Sequence, residues 1–193
     1  MPRLMILIAS TRPGRVGLPV AQWLEDRART HGGFEVDVAD MAEINLPMMD
    51  EPNHPRLRRY VHQHTKDWSV RVEAADAFAF VVPEYNHGYT APLKNAIDYL
   101  NHEWQYKPVG FVSYGGVAAG TRAVAMLKPV VAVLKMTPVA EGISIPFVAQ
   151  FLDERRRLKP NDVMEQAATA MLDELVRWEA ALRPLRPSLT PSG

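Results

Sequence analysis

The sequence predicts an α/β protein, a parallel sheet covered by helices on both faces, and three observations predict it. Short apolar runs alternate with longer stretches of helical period. The strongest run, Ala77-Phe78-Ala79-Phe80-Val81-Val82, lacks polar alternation, as expected of a strand buried on both faces. Polar loops punctuated by Gly and Pro follow the runs at their carboxyl ends, the edge at which open α/β sheets bind ligands.

Leu4 to Ala9 reads as the first buried strand. Val16, Val20, Leu24 and Ala28 recur every four residues and give a helix with one apolar face, stopped by His31-Gly32-Gly33. Phe34 to Val38 alternates apolar and acidic residues, the pattern of a strand near a sheet edge. Asp40 to Pro55 reads as a long loop broken at Asn45, Pro47, Pro52 and Pro55, and residues 56–75 as a polar helix. After the third strand, Ala77 to Val82, a helix runs from about Ala91 to Asn101. Val109 to Tyr114 is the fourth strand, ended by Gly115-Gly116. Ala118 to Met136 is a long apolar helix that Pro129 should kink or break. Val139 to Ile145 is a short fifth strand closed by Pro146, and Asn161 or Asp162 caps a last helix reaching about Leu182. Residues 1–183 therefore read as one domain and 184–193 as a flexible tail rich in Pro and Ser.

With 193 residues and 47% hydrophobic content the chain can bury a substantial core. No apolar run approaches the roughly 18 residues that cross a bilayer, and the apolar part of the first residues is too short for a signal peptide. No membrane association is expected. The absence of cysteine excludes disulfides, thiolate metal sites and a cysteine nucleophile, and fits a cytoplasmic protein. Zero formal net charge argues against nucleic acid as a partner. The run Arg155-Arg156-Arg157 stands beside Asp153 and Glu154 and reads as a solvated loop or helix end. His62 and His64, two apart on the predicted helix, should face different directions, which leaves no metal site there.

Between the first strand and first helix lies Ala9-Ser10-Thr11-Arg12-Pro13-Gly14-Arg15-Val16-Gly17. Free N–H groups and the positive end of the helix dipole favour an anion at such a place. Ser10 and Thr11 offer hydroxyls, Arg12 a planar charged fork, and Gly17 a backbone N–H. There is no G-x-G-x-x-G after the first strand, no G-x-x-x-x-G-K-[ST] and no G-x-S-x-G, so dinucleotide-binding, P-loop and hydrolase-elbow readings lack support.

The most specific stretch is Pro83-Glu84-Tyr85-Asn86-His87-Gly88-Tyr89-Thr90-Ala91-Pro92-Leu93-Lys94-Asn95-Ala96-Ile97-Asp98. It resembles the P-E-Y-N-x-[GS]-x-[PT]-[AG]-x-L-K-N-A-[IL]-D signature of the NADPH-dependent FMN reductase family. The resemblance implies a flavodoxin-like three-layer sandwich with a five-stranded parallel sheet in the order 2-1-3-4-5. It implies FMN as cofactor, with NADPH or NADH as co-substrate. The anion loop resembles the family's G-S-x-R-x-x-S at Ser10 and Arg12, whereas Ala9 replaces the leading Gly and Arg15 the later Ser.

An isoalloxazine ring needs flat walls, polar groups at its pyrimidine edge and one open face. Pro83 restricts the backbone, Tyr85 and His87 are planar, Asn86 both donates and accepts, and Gly88 permits close approach. The resemblance places Glu84, Tyr85, Asn86 and His87 against the flavin; the other reading of Glu84 is that it holds the loop by accepting backbone N–H bonds. Asn95 is expected to brace this loop, and Lys94 to be a solvated charge. Ser113, Tyr114, Gly115 and Gly116 match the family's Gly-rich loop beside the ring. No catalytic side chain and no metal ligand are expected, because the cofactor carries the chemistry.

The function implied is ping-pong hydride transfer from NAD(P)H to flavin and on to a small-molecule acceptor: a flavin, a quinone, an azo compound or similar. The rival reading is a flavin-binding electron carrier or sensor without NAD(P)H turnover; a third is a module that acts only through protein contacts. A homodimer or tetramer is expected. Its motives are the family resemblance, Met48 and Met49 on the Leu46 to Pro52 loop, and Tyr99, Trp104 and Tyr106 at and beyond the third helix.

Overall fold

The computed structural model describes residues 1–186. Four parallel strands, β1 (Arg3–Ile8), β2 (Glu35–Asp40), β3 (Ala77–Pro83) and β4 (Pro108–Tyr114), are completed on one edge by β5 (Thr137–Pro138) and β6 (Ile143–Ile145). The order is β2-β1-β3-β4-β5, with β6 also on β4, which is the flavodoxin-like order. Helices α1 (Gly17–His31) and α6 (Asp162–Leu182) cover one face; α3 (Gln63–Glu73), α4 (Ala91–Asp98) and α5 (Thr121–Val133) cover the other. Within β1, Leu4, Ile6 and Ile8 enter the first layer of core and Met5 and Leu7 the second. A strand buried on both sides has no polar face to alternate, and each such side chain contributes roughly 1.5–3 kcal/mol.

Several predicted elements change. The expected loop after β2 contains a short helix, α2 (Met41–Ile44), capped by the Asp40 carboxylate on the Ala42 N–H at 3.0 Å. The expected helix over 56–75 starts only at Gln63. The Glu51 carboxylate accepts the N–H groups of Val61 at 2.9 Å and His62 at 3.0 Å, which ties that segment to the preceding loop instead. His62 is therefore extended rather than helical. Its ring stacks on His64 at 5.2 Å and 8°, so the two histidines do not diverge, and both meet Asp50.

The third helix ends at Asp98, and Tyr99 and Trp104 turn inward with 0% exposure. Trp104 packs against Phe78 and Phe80 at centroid separations of 5.0 and 6.3 Å. Both aromatics thus belong to this chain's own core and not to an exposed interface, which removes them as a motive for oligomer formation. Pro129 does not break α5: it and Ala125, whose carbonyl loses a partner to it, lie on the exposed side, where water can serve that oxygen. The fifth strand is split. Thr137 pairs with Pro108 and Ile143 with Val112, so the edge takes two more residues than β4 over the same span and bulges away between Val139 and Gly142.

Among the described residues no helix is long and apolar enough to cross a membrane. Arg183–Leu185 forms a short turn after α6, and Arg186 donates to Asp76; residues 187–193 of the predicted tail lie outside the described residues.

Candidate functional site

The carboxyl ends of β1, β3 and β4 bring three loops together. In the first, Arg12-Pro13-Gly14-Arg15 closes a β-turn, with the Arg15 N–H on the Arg12 carbonyl at 3.0 Å. Pro sits second, and Gly14 third with φ 70°, the arrangement of a type II turn, which calls for glycine there. The turn delivers the chain into α1 with no side-chain cap at Val16 and no acidic residue in the first turn. A 15-residue helix thus ends in uncapped N–H groups and the positive end of its dipole. Arg12 is exposed and makes no ion pair among the described residues, whereas Arg15 pairs with buried Asp40 and is spent on the scaffold. Thr11 is exposed beside Arg12.

The second loop is a two-residue hairpin. Tyr85 and Gly88 exchange N–H···O bonds of 2.9 Å each, and Asn86 and His87 at the tip have φ of 50° and 69°. A tip of this kind favours Asn-Gly; His87 in the left-handed region costs on the order of 1 kcal/mol. The loop is tied directly to the first one. The Tyr85 hydroxyl and the buried Ser10 Oγ lie 2.8 Å apart, and Thr90 Oγ1 donates to the Ala9 carbonyl at 2.7 Å. Thr90 also caps α4, accepting from the Leu93 N–H. Asn86 and His87 are exposed at the hairpin tip, Gly88 is half-buried, and Pro83, the last residue of β3, is buried.

Glu84 behaves differently from its neighbours. Its carboxylate turns to α5, where it pairs with Arg122 and accepts the Arg122 N–H at 3.3 Å. The Arg122 guanidinium beside Glu84 holds its carboxyl below the usual carboxylate range. Asn95 braces the loop before α3 rather than the hairpin: Oδ1 accepts the Met49 N–H at 2.9 Å, and Nδ2 donates to the Pro47 carbonyl at 2.7 Å. Lys94 pairs with Asp98 in the exposed i,i+4 arrangement.

The third loop divides its side chains. Ser113 faces a cavity of about 290 Å³ between α5 and the bulged edge, 3.4 Å from Ser144 Oγ. Tyr114 turns the other way, toward the first turn of α1. A Cβ on Gly17 would stand 2.6 Å from the Tyr114 hydroxyl, so this close approach requires glycine. That hydroxyl is buried with no well-aligned hydrogen bond among the described residues; burial together with the nearby Tyr85 raises the phenol well above its ordinary value, offset in part by the adjacent Ser10 hydroxyl and Gly17 N–H. Gly115 donates to the Ile145 carbonyl, and the space where a Gly116 Cβ would stand is open. Beyond Thr11 a second cavity of about 390 Å³ runs between Met41, Leu46, Met48 and Pro92, so it joins the first loop to the exposed methionine loop.

The arrangement fits a phosphate ester attached to a flat group. The crevice combines an uncapped helix start, a buried serine hydroxyl, and an arginine and a buried phenol that lack partners among the described residues; the aromatic hairpin lies alongside. Sequence reasoning missed three residues here. Thr90 stood within the quoted signature without a role, Arg122 carried no signal, and Arg156, exposed as its run was read, also donates from Nη2 to the Gly14 carbonyl at 2.9 Å.

The model of the family described as NADPH-dependent FMN reductase matches residues 2–150. An NAD(P)H-dependent FMN reductase of Schizosaccharomyces pombe is 38% identical over 149 residues, covering 75% of this chain and 74% of the relative. An FMN-dependent NADPH-azoreductase of Staphylococcus haemolyticus is 28% identical over 143 residues, covering 74% and 72%. The solved structure of the flavoenzyme NAD(P)H:(acceptor) oxidoreductase FerB from Paracoccus denitrificans shares the fold, with TM-score 0.74 and 19% identity over 94% of this chain and 99% of that one.

Proposed function

Because the chain belongs to the NADPH-dependent FMN reductase family and is a flavin oxidoreductase working with FMN and NAD(P)H, we propose that the three-loop crevice is its flavin site and that the reaction is ping-pong. The carrying observation is the uncapped start of α1 beside unpaired Arg12, joined to the aromatic hairpin by the Tyr85–Ser10 contact. FMN when bound supplies the redox chemistry, accepting hydride from NAD(P)H and passing the reducing equivalents on.

The side chains bind and orient. Ser10, Thr11, Arg12, the Gly17 N–H and the Tyr114 hydroxyl would hold the phosphate. Pro83, Tyr85, Asn86, His87 and Gly88 would line the ring, with Gly115 and Gly116 leaving room at its edge. Glu84 would act one step back, fixing the start of α5 through Arg122. No side chain is required to move a proton in the hydride step, and NAD(P)H and the acceptor use the same open face in turn. The acceptor class we favour is a flavin, quinone or azo compound. The cavity at Met41, Leu46 and Met48 supports entry of a bulky apolar molecule from that side.

We also propose a homodimer or tetramer that completes the cleft. The support is Met48, 74% exposed on the rim of that cavity, a position at which apolar side chains mark interfaces.

The visible spectrum of the purified protein tests the reading. A yellow protein that releases FMN on heating and bleaches under anaerobic NADPH is expected. FAD as the released species would overturn the cofactor assignment, and reduction by dithionite but not by NADPH would favour the electron-carrier reading. Light scattering at micromolar concentration should give a multiple of 21.7 kDa. A monomer with full activity on dilution would overturn the shared cleft.

A further inference from the structure

Residues 151–159 lie just past the segment matched by the family model and form a small hairpin of their own. Leu152 and Leu158 bridge antiparallel, Lys159 N donates to the Phe151 carbonyl at 2.7 Å, and Asp153 N to the Arg157 carbonyl at 3.0 Å. Leu158 anchors the hairpin in the core layer under α1. At the tip one carboxylate organises the turn: Asp153 Oδ1 accepts the N–H groups of Arg155 at 2.9 Å and Arg157 at 2.8 Å, and Oδ2 takes the Arg157 guanidinium. The turn closes with the Arg156 N–H on the Asp153 carbonyl at 2.8 Å, leaving Arg156 at φ 59°. Glycine is the usual residue at that point of such a connection. Here an arginine occupies it, and its guanidinium reaches across 142 positions of sequence to the Gly14 carbonyl at the tip of the anion loop.

A phosphate monoester carries about −1.5 to −2 charges near neutral pH. The positive end of α1 offers about half a charge, Arg12 one full charge, and Arg15 is neutralised by Asp40. The loop by itself therefore offers about 1.5 positive charges, short of a full dianion by about half a charge, and one more arginine more than closes that gap. Arg156 stands at the loop and makes no ion pair among the described residues.

We propose that Arg156 is a positioning and charge-balancing residue for the phosphate of the bound flavin. It fixes the Gly14 peptide through its carbonyl and adds the cation that lets the site prefer a doubly charged phosphate ester over the uncharged flavin alcohol. The proposal rests on the flavin reading given above.

Arg156→Gly removes the side chain while suiting the turn, since glycine adopts this φ freely; Arg156→Lys keeps the charge. Protein stripped of flavin is titrated with FMN and with riboflavin, read by quenching of flavin fluorescence, at low and at high salt. The variant Arg156→Gly should bind FMN about five- to tenfold more weakly, with riboflavin changed less than about twofold. Most of the loss should return in Arg156→Lys, and the difference should shrink at high salt. Arg155→Ala, one step away on the same tip, should match the wild type. Unchanged FMN affinity in Arg156→Gly, or an equal loss for both flavins, overturns the proposal and leaves the flavin site standing. Wild-type protein that binds riboflavin as tightly as FMN overturns the phosphate reading itself, and the role of Arg156 with it.

Discussion

The two ends of the sheet differ in how fully their polar groups are satisfied. At the amino end, charges are buried and partnered. Glu103, fully buried, accepts from Tyr60 at 2.9 Å, Ser69 at 2.7 Å and the Asn101 N–H at 3.2 Å. Lys107, buried just before β4, donates to the Val72 and Glu73 carbonyls at 3.0 Å each, closing the end of α3. Asp76 holds the Arg3 N–H at 2.8 Å and Arg186, and buried Glu179 takes Arg183. At the carboxyl end the start of α1 is uncapped, Arg12 lacks a counter-ion among the described residues, and the buried Tyr114 hydroxyl lacks a partner. Both ends are built from the same strands, so the difference is not one of fold. Stability asks that buried polar groups be satisfied within the chain; binding asks that some be kept for a ligand.

If this contrast holds, substitutions at the amino end should cost stability and leave flavin preference alone. The largest effect is expected for Glu103→Ala, which leaves the Tyr60 and Ser69 hydroxyls and the Asn101 N–H without their acceptor. Denaturant unfolding should show a loss of about 3 kcal/mol. The FMN-to-riboflavin affinity ratio of the folded fraction should stay within about twofold of wild type; a change in that ratio would break the separation of the two ends.

Lys107 gives the contrast a pH signature. Burial lowers its ammonium from 10.5 to about 8, an effect partly offset by the Glu73 carboxylate. Between those two values the unfolded chain holds a proton that the folded chain has released, so this group makes stability rise with pH across that window. The rise amounts to ~3 kcal/mol at most. Against Lys107→Met, the wild type should therefore gain relative stability from pH 8 to pH 10.5 in paired chemical denaturations. A difference that is flat in pH would mean that Lys107 is solvated.

At the carboxyl end the signs reverse. Arg12→Ala should weaken FMN binding by about ten- to a hundredfold, or roughly 1.5–3 kcal/mol, with little effect on riboflavin and a stability change within about 0.5 kcal/mol. Equal losses for the two flavins in a titration would move Arg12 out of the anion position. The smallest effect is expected for Tyr85→Phe, which takes from Ser10 the Tyr85 hydroxyl at 2.8 Å. The flavin-free protein should lose about 0.5–1.5 kcal/mol, a few degrees in Tm by calorimetry. That loss should be smaller with FMN saturating, because the phosphate would then serve Ser10. A larger loss in the saturated protein would show that Tyr85 acts on the ligand and not on the loop.

Much of this was legible in the residues. Alternating apolar runs and helical periods gave the α/β class, and Asn161, Gly32 and the Arg12-Pro13-Gly14-Arg15 turn marked their own boundaries, because caps and turns are local chemistry. The two candidate loops stand out in the sequence because their composition is unusual over a short window. Where local signals failed, a distant group had intervened. The helix predicted from residue 56 was pre-empted by Glu51, and the aromatics assigned to an interface were drawn into the core by Phe78 and Phe80.

The sequence by itself determined which segments become strands and helices, that their sheet is buried on both faces, and that a polar loop with Ser10, Thr11 and Arg12 precedes the first helix. Those properties depend on neighbours within a few residues. Only the tertiary structure decided where the charged groups end up: Arg15 on Asp40 and not in the crevice, Glu84 on Arg122, Tyr114 beneath the first turn of α1, and Arg156 against Gly14. An arginine reads the same in a sequence whether solvent, a carboxylate or a loop carbonyl meets its guanidinium. The partner is chosen by which chain segment, 25 or 142 positions away, the fold brings within reach.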